Sequence, residues 1–321
     1  MKKIMLMHLS SNMWGKKGFS YNDQKEDEDF IYRDKMYTDK ETWVKVTDFC
    51  AENGFNTVLI DLGDAVVYDS HPEIAIEGAW TKAELKAELD RLRKIGLTPI
   101  PKYNFSSAHS AWLGKYGYMV GTDEYYKVCR ELIEEVIDLF DTPEFFHLGM
   151  EEEDAASQTH RPIAIVRSPE IMARDINLFA DICRSNGVRA CLWTNAETVK
   201  GLGGDEEFCK KLPKDIIMTP YYYGWIRSYH PEESYPETVK LFRKLTEWGY
   251  DIIACGSTWN WHLSMFDVMT YCKKYAKQDK IIGYLMASWM LTTPKKYHAL
   301  LNAAYNFKTA YEEVFEVESE K

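Results

Sequence analysis

Two rhythms of apolar residues alternate along this chain. Short runs rich in Val, Ile, Leu, Met and Phe have the character of strands buried on both faces. Each is followed by a longer stretch whose apolar positions recur three and four residues apart, the spacing of an amphipathic helix. The short runs are Ile4–Leu9, Thr57–Leu62, Thr98–Asn104, Phe145–Gly149, Arg189–Thr194, Ile216–Tyr221, Asp251–Gly256 and Ile281–Ser288. The helical stretches that follow them are Lys40–Asn53, Lys82–Ile95, Asp123–Phe140, Pro169–Asn186, Asp205–Lys211, Pro236–Trp248, Ser264–Lys277 and Lys295–Val314. Glycine follows directly after Asn53, Ile95, Asn186 and Trp248, where a left-handed residue ends a helix before the next strand begins.

Eight strand–helix units in 321 residues predict a single (β/α)8 TIM barrel, with residues 1–321 as one domain. No Pro-, Ser- or Gly-rich linker and no shift of composition divides the chain, and no repeat shorter than the strand–helix unit is evident. The longest irregular segment, residues 14–39, follows the first strand and carries Lys25-Glu26-Asp27-Glu28-Asp29. A charge run there predicts a solvated loop, and its place after a strand puts it over the barrel mouth.

Composition narrows the partners. With 45% apolar and 28% charged residues the chain has the balance of a folded globular protein. Thirty-nine Lys and Arg against fifty Asp and Glu leave a net charge of -11, which disfavours nucleic acid as a partner. The apolar run after Met1-Lys2-Lys3 is too short for a signal peptide and lacks a small-residue cleavage site. No later run approaches the roughly 18 apolar residues of a membrane span, so no membrane partner is expected. Seven scattered cysteines without CxxC spacing predict a reduced population and a cytoplasmic location. The sequence carries no signal for an oligomeric state.

A barrel builds its active site at the carboxyl ends of its strands, so the chemistry is read there. The second run ends Asp61-Leu62-Gly63-Asp64, the third leads into Asn104 and then His109, and the fourth carries His147 and ends Glu151-Glu152-Glu153-Asp154. The later runs end in aromatic clusters: Trp193-Thr194-Asn195, Tyr221-Tyr222-Tyr223-Gly224-Trp225, Trp259-Asn260-Trp261-His262 and Ser288-Trp289. Carboxylates on one wall and indoles on the other suit a sugar, whose C–H face stacks on aromatic rings while acidic groups handle its oxygens. Each aromatic residue taken singly also fits a packed core, and the acidic run also fits a helix start. Glu151 and Glu152 are adjacent, so on an extended backbone they point to different sides. A metal site would draw on His8, His109, His147 and Glu151. Because the last four strand ends offer aromatics in place of further ligands, no metal and no other cofactor is expected.

Two stretches resemble glycoside hydrolase family 20, the β-hexosaminidases. Gly54-Phe55-Asn56-Thr57-Val58-Leu59 through Thr98-Pro99-Ile100-Pro101-Lys102-Tyr103-Asn104 to His109-Ser110-Ala111-Trp112 is similar to that family's second and third barrel strands. His147-Leu148-Gly149-Met150-Glu151-Glu152 resembles its His-x-Gly-Gly-Asp-Glu signature at the end of strand four. The resemblance implies that Glu152 is the general acid and that Glu151 polarises a substrate 2-acetamido group acting as nucleophile. It further implies His147 and His109 as supporting residues and, by strand order, Trp193, Tyr221, Trp259 and Trp289 as candidates for the sugar pocket. Asp64 and Asn104, at the ends of the second and third runs, are further candidate supporting residues by position. The chain departs from the family pattern at Glu151 for Asp, Met150 for Gly, Lys102 and Asn104 for Glu and Asp, Asn12 for Arg and Leu291 for Glu. These departures predict altered sugar recognition.

The resulting expectation is an exo-acting, β-hexosaminidase-like glycoside hydrolase with a carbohydrate substrate. Two competing readings are a noncatalytic sugar-binding barrel and a divalent-metal sugar isomerase or lyase. Sugar stabilisation without sugar release marks the first, and loss of activity on chelation marks the second.

Overall fold

The structure is a computed structural model that describes residues 1–13, 31–159, 161–194, 205–226 and 235–316. Eight parallel strands close into a barrel in sequence order, each followed by a helix. The strands are β1 (Lys2–His8), β2 (Thr57–Asp61), β3 (Thr98–Lys102), β4 (Phe145–His147), β5 (Arg189–Thr194), β6 (Ile217–Pro220), β7 (Ile252–Gly256) and β8 (Ile281–Ala287). The helices are α1 (Lys40–Glu52), α2 (Lys82–Lys94), α3 (Asp123–Leu139), α4 (Pro169–Ser185), α5 (Asp205–Cys209), α6 (Glu237–Glu247), α7 (Ser264–Tyr275) and α8 (Tyr297–Tyr311). Most of the sequence-based boundaries fall within a residue or two of these, since strong apolar runs and glycine stops leave little freedom.

Local signals explain the helices. Thr81 caps α2 in a reciprocal box with Glu84, and Ser168 caps α4 with Pro169 in its first turn. In α3, Val128, Leu132, Ile133 and Val136 recur at helical spacing and are all buried. That stripe faces the outer surface of the barrel strands, and burying it stabilises the helix far more than its intrinsic propensity does.

The strands have two buried faces because helices cover one and the barrel interior the other. The interior is filled by Ile4 and Leu6 of β1, Leu59 of β2, Ile100 of β3, Phe145 of β4, Cys191 and Trp193 of β5, Ile217 of β6, Ile253 and Cys255 of β7, and Leu285 and Ala287 of β8. With a period of two, the next inward positions on the first four strands are His8, Asp61, Lys102 and His147.

Of the long loop expected at residues 14–39, residues 14–30 lie outside the described part. The described remainder is tied down: Asn12 exchanges two hydrogen bonds with the backbone of Arg33, and Asp39 N–H donates to the Thr292 carbonyl. Among the described residues no helix is long and apolar enough to cross a membrane.

Candidate active site

The four inward polar residues form one registered row at the carboxyl end of the barrel: His8 pairs with Asp61, Asp61 with Lys102, and Lys102 with His147. Asp61 Oδ2 accepts from Lys102 Nζ at 2.8 Å and lies 3.1 Å from His8 Nδ1. Burial alone would raise the Asp61 pKa, but the Lys102 charge and the His8 contact outweigh it and hold the carboxyl below its ordinary value. Burial first, and the nearby Lys102 charge second, push His147 well below the usual histidine range, so its ring is neutral. Its Nδ1 accepts the Gly149 N–H at 3.1 Å, which leaves the ring proton on Nε2.

Beyond His147 the chain stops being a strand. Gly149, Met150 and Glu152 all have positive φ, at 74°, 67° and 51°. The expectation that Glu151 and Glu152 diverge on an extended backbone is therefore corrected. Two left-handed residues flank Glu151 and turn both carboxylates onto the same ring: Glu151 Oε1 lies 3.2 Å from His109 Nδ1, and Glu152 Oε2 lies 3.2 Å from His109 Nε2. Burial would lower the His109 pKa, but its bonds to Glu151 and Glu152 more than reverse this and raise it to about 9. The shift favours the protonated imidazole, with a carboxyl group at each nitrogen.

The pair is anchored unequally. Asn104 Nδ2 donates to Glu151 Oε1 at 2.8 Å, and Glu151 is buried. The Glu152 side chain keeps 30% exposure. Glu153, the next acid in the run, turns away: it accepts from Ser107 N–H at 2.9 Å and lies 3.4 Å from Arg167 Nε. It staples the β4 loop to the β3 loop that carries His109.

Aromatic rings close the other half of the mouth. Trp193 is buried, with its ring 4.4 Å from His147, 5.7 Å from Trp289 and 5.8 Å from Tyr221. Tyr221 stacks on Tyr223 at 5.2 Å, and Tyr223 meets Trp289 at 6.5 Å. Trp259 lies on the loop after β7 and is 39% exposed, farther out than the others. Asp64 belongs to a separate network, accepting from Ser10 Oγ at 2.6 Å and Asn12 Nδ2 at 2.8 Å. Burial raises its pKa to about 7 against those hydrogen bonds.

The structure thus brings together Glu151, Glu152, His109 and Asn104, and separately His147, Trp193, Tyr221 and Trp289. Asp64 stands apart and Trp259 sits at the rim. Asp61 and Lys102 were missed as site residues, and His8 was weighed only as a metal ligand. Their signal was the alternation Ile4-Leu6-His8, Leu59-Asp61 and Ile100-Lys102, which points them inward. No group of three His, Cys, Asp or Glu side chains disposed to hold a metal ion occurs among the described residues.

Several buried polar atoms on strand ends lack a hydrogen-bond partner among the described residues, His8 Nε2, His147 Nε2, Glu151 Oε2 and Trp193 Nε1 among them. Buried polar atoms are rarely left unsatisfied, and several on one barrel end mark a place where a polar ligand completes the set.

No family model and no curated protein matches this chain by sequence. Solved structures do match in architecture. The pneumococcal virulence factor StrH, described for N-glycan recognition and hydrolysis, aligns at TM-score 0.65 and 13% identity over 98% of this chain and 85% of its own. The β-N-acetylhexosaminidase of Bacteroides fragilis aligns at TM-score 0.63 and 13% identity over 99% and 70%. Dispersin B aligns at TM-score 0.59 and 12% identity over 97% and 98%. What these proteins share with this chain is the barrel.

Proposed function

We propose that this chain is an exo-acting glycoside hydrolase of the β-hexosaminidase type, removing a terminal sugar by acid catalysis from Glu152. The observation that carries this reading is the shared hold of His109 on Glu151 and Glu152 at the end of β4. Glu152, partly exposed, is placed to approach a glycosidic oxygen and give it a proton as the C1–O bond breaks. Glu151, anchored by Asn104, keeps Oε2 available to accept the N–H of a 2-acetamido group. The acetamido oxygen then attacks C1, Glu151 stabilises the positive charge on the ring so formed, and water opens that ring with retained configuration as one of its protons passes to the Glu152 carboxylate and restores the acid.

His109 offsets one of the two negative charges. Trp193, Tyr221 and Trp289 are suited to the apolar face of the sugar. The resemblance of the strand-four motif and the barrel architecture of StrH and the Bacteroides fragilis enzyme support the same substrate class. Seven free, buried cysteines support a reducing, cytoplasmic setting.

The test is incubation with an oligosaccharide ending in β-linked N-acetylglucosamine, with released monosaccharide followed by chromatography, before and after chelation. Release that survives chelation is the expected result. Stabilisation by the glycan without release would identify a noncatalytic sugar-binding barrel, and activity that chelation abolishes and a divalent metal restores would favour the isomerase or lyase.

A further inference from the structure

The acid pair leaves a buried trio unused on β1, β2 and β3. His8, Asp61 and Lys102 are each 2% exposed or less, and both partners lean on one Asp61 oxygen. An ion pair this deep is costly to desolvate and is weak evidence of a stabilising role alone. Its effect on His8 is specific. With Nδ1–H donating to Asp61, the ring is fixed, and Nε2 on its far side is buried with no partner among the described residues.

The position of that atom points to its ligand. The His8 ring lies 5.6 Å from Trp289, which is itself 5.7 Å from Trp193. A pyranose stacked on Trp289 would therefore lie beside His8. Lys102 and Asp61 neutralise each other, so the trio makes no demand for a carboxylate, sulfate or phosphate on the sugar. A sugar hydroxyl both donates and accepts, so it is the group that completes the unpartnered Nε2.

We propose that His8 is a sugar-binding residue whose Nε2 forms a hydrogen bond with a ring hydroxyl of a neutral terminal sugar. The inference rests on the glycosidase reading, because it takes the ligand to be a pyranose.

The test compares wild type, His8→Asn and His8→Gln. Asn places its amide where Nδ1 stands and keeps the contact to Asp61, while Gln reaches the position of Nε2. Each protein is titrated calorimetrically with N-acetylglucosamine and with its analogues lacking the hydroxyl at C3, C4 or C6. Wild type should lose roughly tenfold affinity for one analogue, the scale of a single hydrogen bond to a buried partner. His8→Asn should lose roughly tenfold for N-acetylglucosamine itself and stop discriminating that analogue, while His8→Gln stays within about threefold of wild type. As a readout that needs no variant, the His8 Nε2 nitrogen resonance of wild type should shift with N-acetylglucosamine and not with the critical analogue. Binding and discrimination unchanged in His8→Asn, or a resonance indifferent to the missing hydroxyl, overturns this inference alone. Failure of wild type to bind N-acetylglucosamine, glucose, galactose or mannose overturns the glycosidase reading and this one with it.

Discussion

The Asn104 side chain occupies the space that a Cβ on Gly149 would need: an added carbon there would lie 2.2 Å from Asn104 Oδ1. That oxygen accepts Ser106 N–H at 3.1 Å and Met150 N–H at 3.4 Å, while Nδ2 of the same amide holds Glu151. One side chain thus ties the exit of β3 to the exit of β4, and glycine at 149 is the condition for it.

Gly149→Ala should therefore be damaging twice over. The backbone at φ 74° is strained for any side chain, a penalty of about 1–3 kcal/mol, and the methyl must displace Asn104 from Glu151. Thermal melts should fall by several degrees, and turnover of an N-acetylglucosaminide should fall with them. Wild-type melting and turnover in this variant would refute the steric account.

The buried pair of β2 and β3 makes a separate prediction about stability. Lys102→Met strands the Asp61 carboxylate beside His8 with its cation removed, and losing one partner of a buried pair costs about 3–5 kcal/mol. Removing both charges in Lys102→Met with Asp61→Asn should recover much of that loss in urea denaturation. Equal stability of the single and double variants would mean that the pair is not coupled.

Much of the barrel was legible because each strand is a run of apolar residues with no other use, and Gly54, Gly96, Gly187 and Gly249 end the helices before it. The inward polar row was harder. Met5-Leu6-Met7-His8-Leu9 reads as one continuous apolar run, so the alternation that turns His8 inward is hidden by neighbours that are buried on the other face. The turn at the acid pair left no trace beyond Gly149, because Met150 and Glu152 hold positive φ without any residue-type signal for it. Asp64 was grouped with the site by its nearness to a strand end. Three residues past Asp61, the chain has already turned toward Ser10 and Asn12.

The clamped imidazole predicts a pH dependence of folding. His109 has a folded pKa of about 9 against an ordinary 6.5, so the native state holds the proton more tightly than the unfolded chain does. The stabilisation is complete below the unfolded value and is lost as pH rises through the folded one. Unfolding free energy, measured in urea at closely spaced pH, should therefore decline between about pH 6.5 and 9 in wild type relative to His109→Gln. Parallel curves for the two proteins across that window would remove the clamp from the account.

The acid pair itself is tested by leaving-group chemistry. If Glu152 donates the proton, Glu152→Gln should lose most turnover on natural-type glycosides, whose alcohol leaving groups depart poorly without one. An aryl glycoside with a low-pKa phenol needs little protonation, so the same variant should recover much of its rate there. On the proposed mechanism Glu151 acts at a different point, on the N–H of the 2-acetamido group, so Glu151→Gln should be deeply impaired on both kinds of leaving group and recover little with the phenol. Its loss should be severe only where a 2-acetamido group is present, because without that group there is no amide for it to orient. The shared contact to His109 adds a control: either substitution removes one of the two carboxylates that raise the His109 pKa, so the ring should titrate at lower pH in both variants, which proton resonance can follow. A lowered His109 pKa together with the split in leaving-group rescue separates chemistry from mere loss of geometry. Wild-type rates for Glu152→Gln on a poor leaving group would defeat the assignment of the pair and the hydrolase reading built on it.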